Sequence, residues 1–236
     1  PIGFNFCYFG QTYTQFIIGS NNWVGFLAGQ TSTWVTTPIP TNAGTAPMGT
    51  IMGAWQDINP GVGGTVTYAV YGTAPNRRLV VSWSNVPMFS CTGQLYTSQI
   101  KIFETTNIIE THILNKSLCT TWNSGNAVHG LHDPTGTIAI VVPGRNNAQF
   151  TASNEGRRFT PSGPATSTVN WYVLPGNTLV GTGTSVTVTP PSCQPSTSYY
   201  AQVSSAGTCV TGFGTDTVIV TQNNCTPCSA TATNNG

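Results

Sequence analysis

Residues 51–72 read IMGAWQDINPGVGGTVTYAVYG, and this stretch decides the fold class. An apolar run, IMGAW, ends in QDINP. Glycines at 61, 63 and 64 then interrupt any regular element. Residues 65–71, TVTYAVY, alternate small or polar side chains with large ones, as a half-buried strand does. The stretch is therefore strand, polar glycine-rich turn, strand, with one acid, Asp57, at the turn.

Similar strands recur on both sides. Residues 13–18 (YTQFII) alternate, GSNN at 19–22 turns, and 23–26 (WVGF) return. Residues 30–49 are rich in Thr, Pro and Gly and hold no sustained pattern, so they form a long surface loop. Strands follow at 77–83, 98–104, 108–114, 127–131 and 137–142, and the pair around TTN at 105–107 is the clearest hairpin. Residues 157–161 close this unit. No window of a dozen residues keeps a 3.6 period, and 26 Gly and 16 Pro punctuate the chain. Many short strands at this spacing predict an all-β chain whose first part is a large antiparallel β-sandwich over residues 1–162.

Residues 161–164 (PSGP) read as a linker. Strands at 168–173, 179–181, 185–189, 198–203 and 216–221 then predict a small immunoglobulin-like β-sandwich over residues 164–222. Residues 223–236 are polar and read as a linker to a further module.

Only 6% of the 236 residues are charged and the net charge is +1, against roughly 25% charged in an average soluble domain. Seven Lys and Arg cannot line a nucleic-acid groove. No apolar run approaches the length of a membrane-spanning helix. The chain starts without Met inside a strand-like pattern, which reads as a processed product or a piece of something longer. Seven Cys, at 7, 91, 119, 193, 209, 225 and 228, include no paired CxxC zinc pattern. They fit an oxidising, extracellular setting. Cys91–Cys119 and Cys193–Cys209 each bracket a hairpin and are the preferred disulfides. Cys225 and Cys228 suit a local bridge or partners in a neighbouring module, and Cys7 reads as a buried free thiol.

FNFCYFG at 4–10, IGSNNWVGF at 18–26, AWQDINP at 54–60, FETTNIIE at 103–110, TWNSGNA at 121–127 and RFTP at 158–161 together resemble a bacterial surface module. Such modules occur in large Bacteroidetes surface proteins related to gliding-motility adhesins exported by type 9 secretion, and the core is distantly similar to a nidogen-type domain. The resemblance spans roughly residues 1–162. The following residues resemble the immunoglobulin-like modules of the same proteins. It implies an extracellular, adhesin-like chain that meets surface glycans or proteins, its own neighbouring modules and the secretion machinery; the expected function is a non-enzymatic surface module, and the alternatives are a glycan-binding module or the accessory region of a secreted hydrolase. HGLHD at 129–133 departs from the pattern, where acidic or amide residues are expected.

Each candidate site has a plainer alternative. Asp57, with Gln56 and Asn59, offers oxygens to Ca²⁺, but six acids in the chain are few for a site needing six or more oxygens. The alternative is that Asp57 and Asn59 bond their own turn. His129, His132 and Asp133 have a metal-like spacing without a Glu between the imidazoles, and the alternative is loop histidines beside a turn Asp. Glu104 and Glu110 flank one hairpin as a glycosidase pair would, or simply face solvent. No nucleophile elbow or phosphate loop occurs. Trp34, in the loop at 30–49, is the better lead, because an exposed indole stacks on a sugar face or anchors a protein contact. Its alternative is folding back on its own sandwich. Thr217, in Asp216–Thr217–Val218, matches a short Bacteroidetes O-glycosylation pattern. Few charges guard the strand edges, which permits self-association.

Overall fold

A computed structural model describes residues 1–30, 34–161, 167–191, 194–205 and 214–221. The chain forms two compact units, Pro1–Ser162 and Gly163–Gly236. The first holds β1 (Phe6–Tyr8), β2 (Gln11–Tyr13), β3 (Ile17–Gly19), β4 (Trp23–Gly25), β5 (Thr50–Trp55), β6 (Thr65–Tyr71), β7 (Arg78–Met88), β8 (Cys91–Phe103), β9 (Ile109–Lys116), β10 (Asn126–His132), β11 (Ala139–Gln149) and β12 (Ala152–Phe159). Two five-stranded antiparallel sheets, ordered β11-β10-β5-β4-β3 and β12-β9-β8-β7-β6, carry the architecture. The all-β reading holds. Edge strand β6 carries no charge and exposes Tyr68, Val70 and Tyr71.

The opening stretch is the middle of the first sheet, and all six residues of β5 are buried. Against β10, Trp55 pairs with Val128 and Met52 with Gly130, so Gly53 and Ala54 together oppose one residue. This bulge breaks the two-residue alternation. Ile51 and Ala54 join the core shared with Trp83, Tyr96 and Ile100 of the second sheet, while Met52 and Trp55 join Trp23 and Val128 in a second cluster.

Ile39 and Ala46, from the long loop, complete that second cluster. The loop runs over the surface as expected, and it also covers the first sheet. Asn146 fixes it, accepting the Ile39 N–H at 2.8 Å and donating to the Ile39 carbonyl at 2.7 Å. His132 accepts the Thr41 N–H at 3.2 Å through Nε2, so its proton sits on Nδ1 and is donated to the Pro47 carbonyl at 2.9 Å. β5 is thus covered on both faces, which is why it reads as a continuous apolar run.

Gly53 lets Asn22 reach between the sheets. Fully buried Asn22 donates to the Tyr96 hydroxyl and accepts from Ser98 Oγ at 3.0 Å. A Cβ on residue 53 would stand 3.0 Å from Asn22 Oδ1 and 3.2 Å from Ile100 Cγ1. Gly53→Ala is therefore expected to lower stability by ~1–3 kcal/mol through overpacking. Urea unfolding measures it, and an unchanged midpoint would show that the sheets can separate freely.

Cys91 and Cys119 form a disulfide with Cα atoms 5.9 Å apart. Cys7 is also disulfide-bonded, which corrects its reading as a free thiol. The Cys193–Cys209 pairing, the Cys225–Cys228 bridge and the linker at 223–236 lie outside the described residues.

The second unit holds β13 (Ser167–Leu174), β14 (Thr178–Thr182), β15 (Ser196–Ser205) and β16 (Gly214–Thr221), in one antiparallel sheet ordered β14-β13-β15-β16. The second sheet of an immunoglobulin-like sandwich is not among the described residues. The strand expected at 185–189 does not form. Pro190 lacks a backbone donor and disfavours regular pairing just before it. The sheet's visible ties are the Trp171 Nε1 bond to the Gly183 carbonyl, 3.0 Å, and stacked Tyr172 and Tyr200.

Candidate functional site: an aromatic cleft on the first unit

Five connections of the first unit converge on a cleft of about 640 Å³. The β3–β4 turn brings Ser20 and Asn21, the covering loop brings Trp34, and the β5–β6 turn brings Asp57 to Gly61. The β7–β8 turn brings Phe89 and the β9–β10 connection brings Trp122. Trp34 and the pair Asp57 and Asn59, which are separate candidates in the sequence, thus line one space.

Backbone pairing fixes the floor. The Asp57 carbonyl accepts the Phe89 N–H at 3.1 Å, Ile58 bridges Met88, and Asn59 N–H donates to the Pro87 carbonyl at 2.8 Å. Asn21 Oδ1 accepts the Ile58 N–H at 3.1 Å, and Asn59 Oδ1 accepts the Gly61 N–H at 2.9 Å. Asn59 therefore ties its own turn, a short Asx bond. The Asp57 carboxyl does not join that turn. Burial pushes it up to about 6, and the nearby Trp122 indole opposes the shift. That indole N–H is itself buried and lacks a bond of good geometry.

The donor set does not fit Ca²⁺. Asp57 is the only carboxylate, and the oxygens of Asn59 and Asn21 already hold backbone N–H groups. Calcium asks for six to eight oxygens, several of them charged.

Aromatic side chains make the walls. Trp34 is 61% exposed and Phe89 40% exposed. Phe89 meets half-buried Trp122 edge-on, with ring centroids 4.8 Å apart. The Cys91–Cys119 bridge stands directly behind them, with the Cys119 sulfur 3.4 Å from the Phe89 carbonyl oxygen. Phe89 and Trp122 escape sequence reasoning because each looks like ordinary core. Their nearness to the two cysteines is the signal that would have found them.

Other sequence candidates disperse. Glu104 accepts Arg77 Nε at 2.8 Å and a backbone N–H at 3.0 Å. Glu110 holds Arg158 and His112. Each acid is thereby committed to a cation. Asp133 accepts the N–H groups of Thr135, Thr137 and Ile138, and these bonds hold its carboxyl below the usual range despite burial. His129 and His132 turn to different partners, the former to Thr111 and the latter to Pro47. No group of three metal-binding side chains occurs among the described residues. Thr217 is exposed on β16.

His129 belongs to a buried charged network. Arg145 donates to its Nδ1 at 3.1 Å, so the proton sits on Nε2 and is donated to Thr111 Oγ1 at 2.7 Å. Burial, then Arg145, pushes His129 down to about 3. Arg145 forks onto Glu155 at 2.6 and 2.7 Å and covers the Phe150 ring. Buried Lys116 covers the same ring and donates to the Phe150 carbonyl at 2.7 Å. Burial pushes it down to about 8.

Residues 1–173 match the family model described as NIDO related. No curated protein and no solved structure gives a significant match. No helix among the described residues is long and apolar enough to cross a membrane.

Proposed function

We propose, since the chain belongs to the NIDO-related family, that it is a non-enzymatic extracellular module of a larger cell-surface adhesin or filament, holding its partner in the aromatic cleft. The proposed setting is a Bacteroidetes surface reached through type 9 secretion, with the second unit as an immunoglobulin-like spacer.

The observation that carries this reading is the convergence of five connections on Trp34, Phe89 and Trp122. Binding residues gather on loops held by a rigid scaffold, and aromatic side chains dominate contact energies. The disulfide suits an oxidising compartment. The remaining acids described in the first unit are engaged by arginines, a histidine or a turn, and Asp57 stands alone in the cleft. A hydrolytic carboxylate pair has no basis there, which supports binding over turnover.

Latex beads coated with the chain are expected to be retained under flow on cellulose, agarose or fixed bacterial cells. Beads carrying Trp34→Ala with Trp122→Ala should be retained roughly tenfold less. Equal retention of the two, or retention nowhere, would count against the reading. Release of sugar or peptide fragments by the chain alone would rule out the non-enzymatic claim.

A further inference from the structure

We infer that the cleft binds a neutral pyranose saccharide, whose apolar ring face lies on the exposed aromatic wall and whose hydroxyls donate to the Asp57 carboxyl. This rests on the adhesive reading above and names the ligand class for that site.

Sugar rings present two chemistries at once, an apolar face of C–H groups and a rim of hydroxyls. The cleft presents the complement. Trp34 and Phe89 offer open aromatic surface, which suits one flat apolar face. Asp57 offers a carboxyl whose oxygens take no protein bond of good geometry, beside the buried Trp122 indole N–H. The 640 Å³ space falls within the ~300–1,000 Å³ span of small-ligand sites.

A second feature points to a polar occupant. Behind the cleft lies a cavity of about 20 Å³, lined by Gln56, Asp57, Phe89 and Trp122 among others. Gln56 is only 7% exposed, yet its Nε2 has no partner, and Trp122 Nε1 approaches the Asp57 carboxyl without a bond of good geometry. Buried donors without partners are costly. The cavity has room for one water, which needs at least ~10–15 Å³. A water there can pass these two donors on to a hydroxyl in the cleft.

Other occupants fit less well. An apolar ligand would leave Asp57, Gln56 and Trp122 unanswered. A metal cation would meet a single carboxylate among the lining residues, too few charged oxygens to hold it. Hydroxyls satisfy the carboxyl and leave the aromatic faces free to stack. Asp57 is the sole ionisable side chain among those lining either space, since Cys119 is in its disulfide. Burial pushes Asp57 up to about 6, so affinity should fall about tenfold between pH 7 and pH 5.

Calorimetry of the whole chain against cello-, manno-, xylo- and galacto-tetraose tests this. At least one should bind at pH 7. Trp34→Ala should weaken it tenfold or more, and Asp57→Asn should bind weakly and lose the pH dependence. Near-UV circular dichroism confirms that each variant is folded. Binding unchanged in Trp34→Ala or Asp57→Asn would overturn the assignment. If no tetrasaccharide binds and the tryptophan variants lower bead retention on fixed cells while no beads are held on cellulose or agarose, the ligand is a protein surface. The saccharide inference then fails while the adhesive reading stands. If bead retention is also unchanged, both fail.

Discussion

Taking the chain from pH 7 to pH 4 is expected to cost far more stability than taking a His129→Gln variant through the same change, by about 3 kcal/mol. His129 is fully buried and has a folded pKa of about 3, against ~6.5 when unfolded. Between those values the unfolded chain binds a proton that the folded chain refuses, so stability falls as pH falls. Below about 3 the loss is complete. The cause is burial first and then Arg145, which donates to Nδ1 and leaves no room for a second ring proton. Gln keeps a donor for Thr111 and an acceptor for Arg145 without titrating.

Other groups bend the profile without removing this difference. Asp57 works oppositely, because its raised pKa makes protonation favour the folded state between about 6 and 4. Its partial exposure keeps that gain smaller. Glu155, held down near 2 by Arg145, loses its stabilising contribution only as pH falls from about 4 toward 2. Lys116, lowered to about 8, matters in the alkaline range, where stability rises as pH climbs above 8. Guanidinium unfolding at pH 7, 5 and 4 measures the difference. Parallel profiles for the two proteins would show that His129 is not the acid-labile group.

The same residues show what a linear reading can see. HGLHD at 129–133 invites a metal site because two imidazoles stand three apart. On β10 that spacing sends one to Thr111 and the other to Pro47. The β8–β9 hairpin is legible because apolar alternation and turn chemistry agree, with Thr105 and Asn107 at positive φ. IMGAW was legible as a buried strand but its two faces were not. The bulge at Gly53 and Ala54 sends Trp55 to the same side as Met52. Residues 84–88, 91–97, 143–149 and 152–156 extend β7, β8, β11 and β12 well beyond the expected segments. Pro87, Pro143 and a run of Asn hide them, because backbone pairing in half-exposed strands leaves no apolar period. Trp34, Asp57 and Asn59 could each be picked out singly. Their meeting depends on sheet order, which no local pattern encodes.

Cys91 and Cys119 test whether the cleft depends on its scaffold. Replacing both by Ala is expected to cost ~3–4 kcal/mol, because the bond closes a separation of 28 residues in the unfolded chain. A further effect should appear at the cleft. Phe89 stands two residues before Cys91 and Trp122 three after Cys119, so the bond joins the two connections that make the aromatic wall. Thr121 reinforces the junction, with its hydroxyl 3.1 Å from Ser90 Oγ. Without the bond, the Ser90–Thr121 contact, the Phe89–Trp122 edge contact and the pairing of Phe89 with Asp57 are left to hold the wall in place. Ordering a wall on binding lowers affinity even when no contact is lost. The double variant, at a temperature where circular dichroism shows it folded, should therefore retain beads several-fold less than the parent. If retention is undiminished while stability drops, the covering loop with Trp34 carries the contact alone and the Phe89–Trp122 pair is only structural.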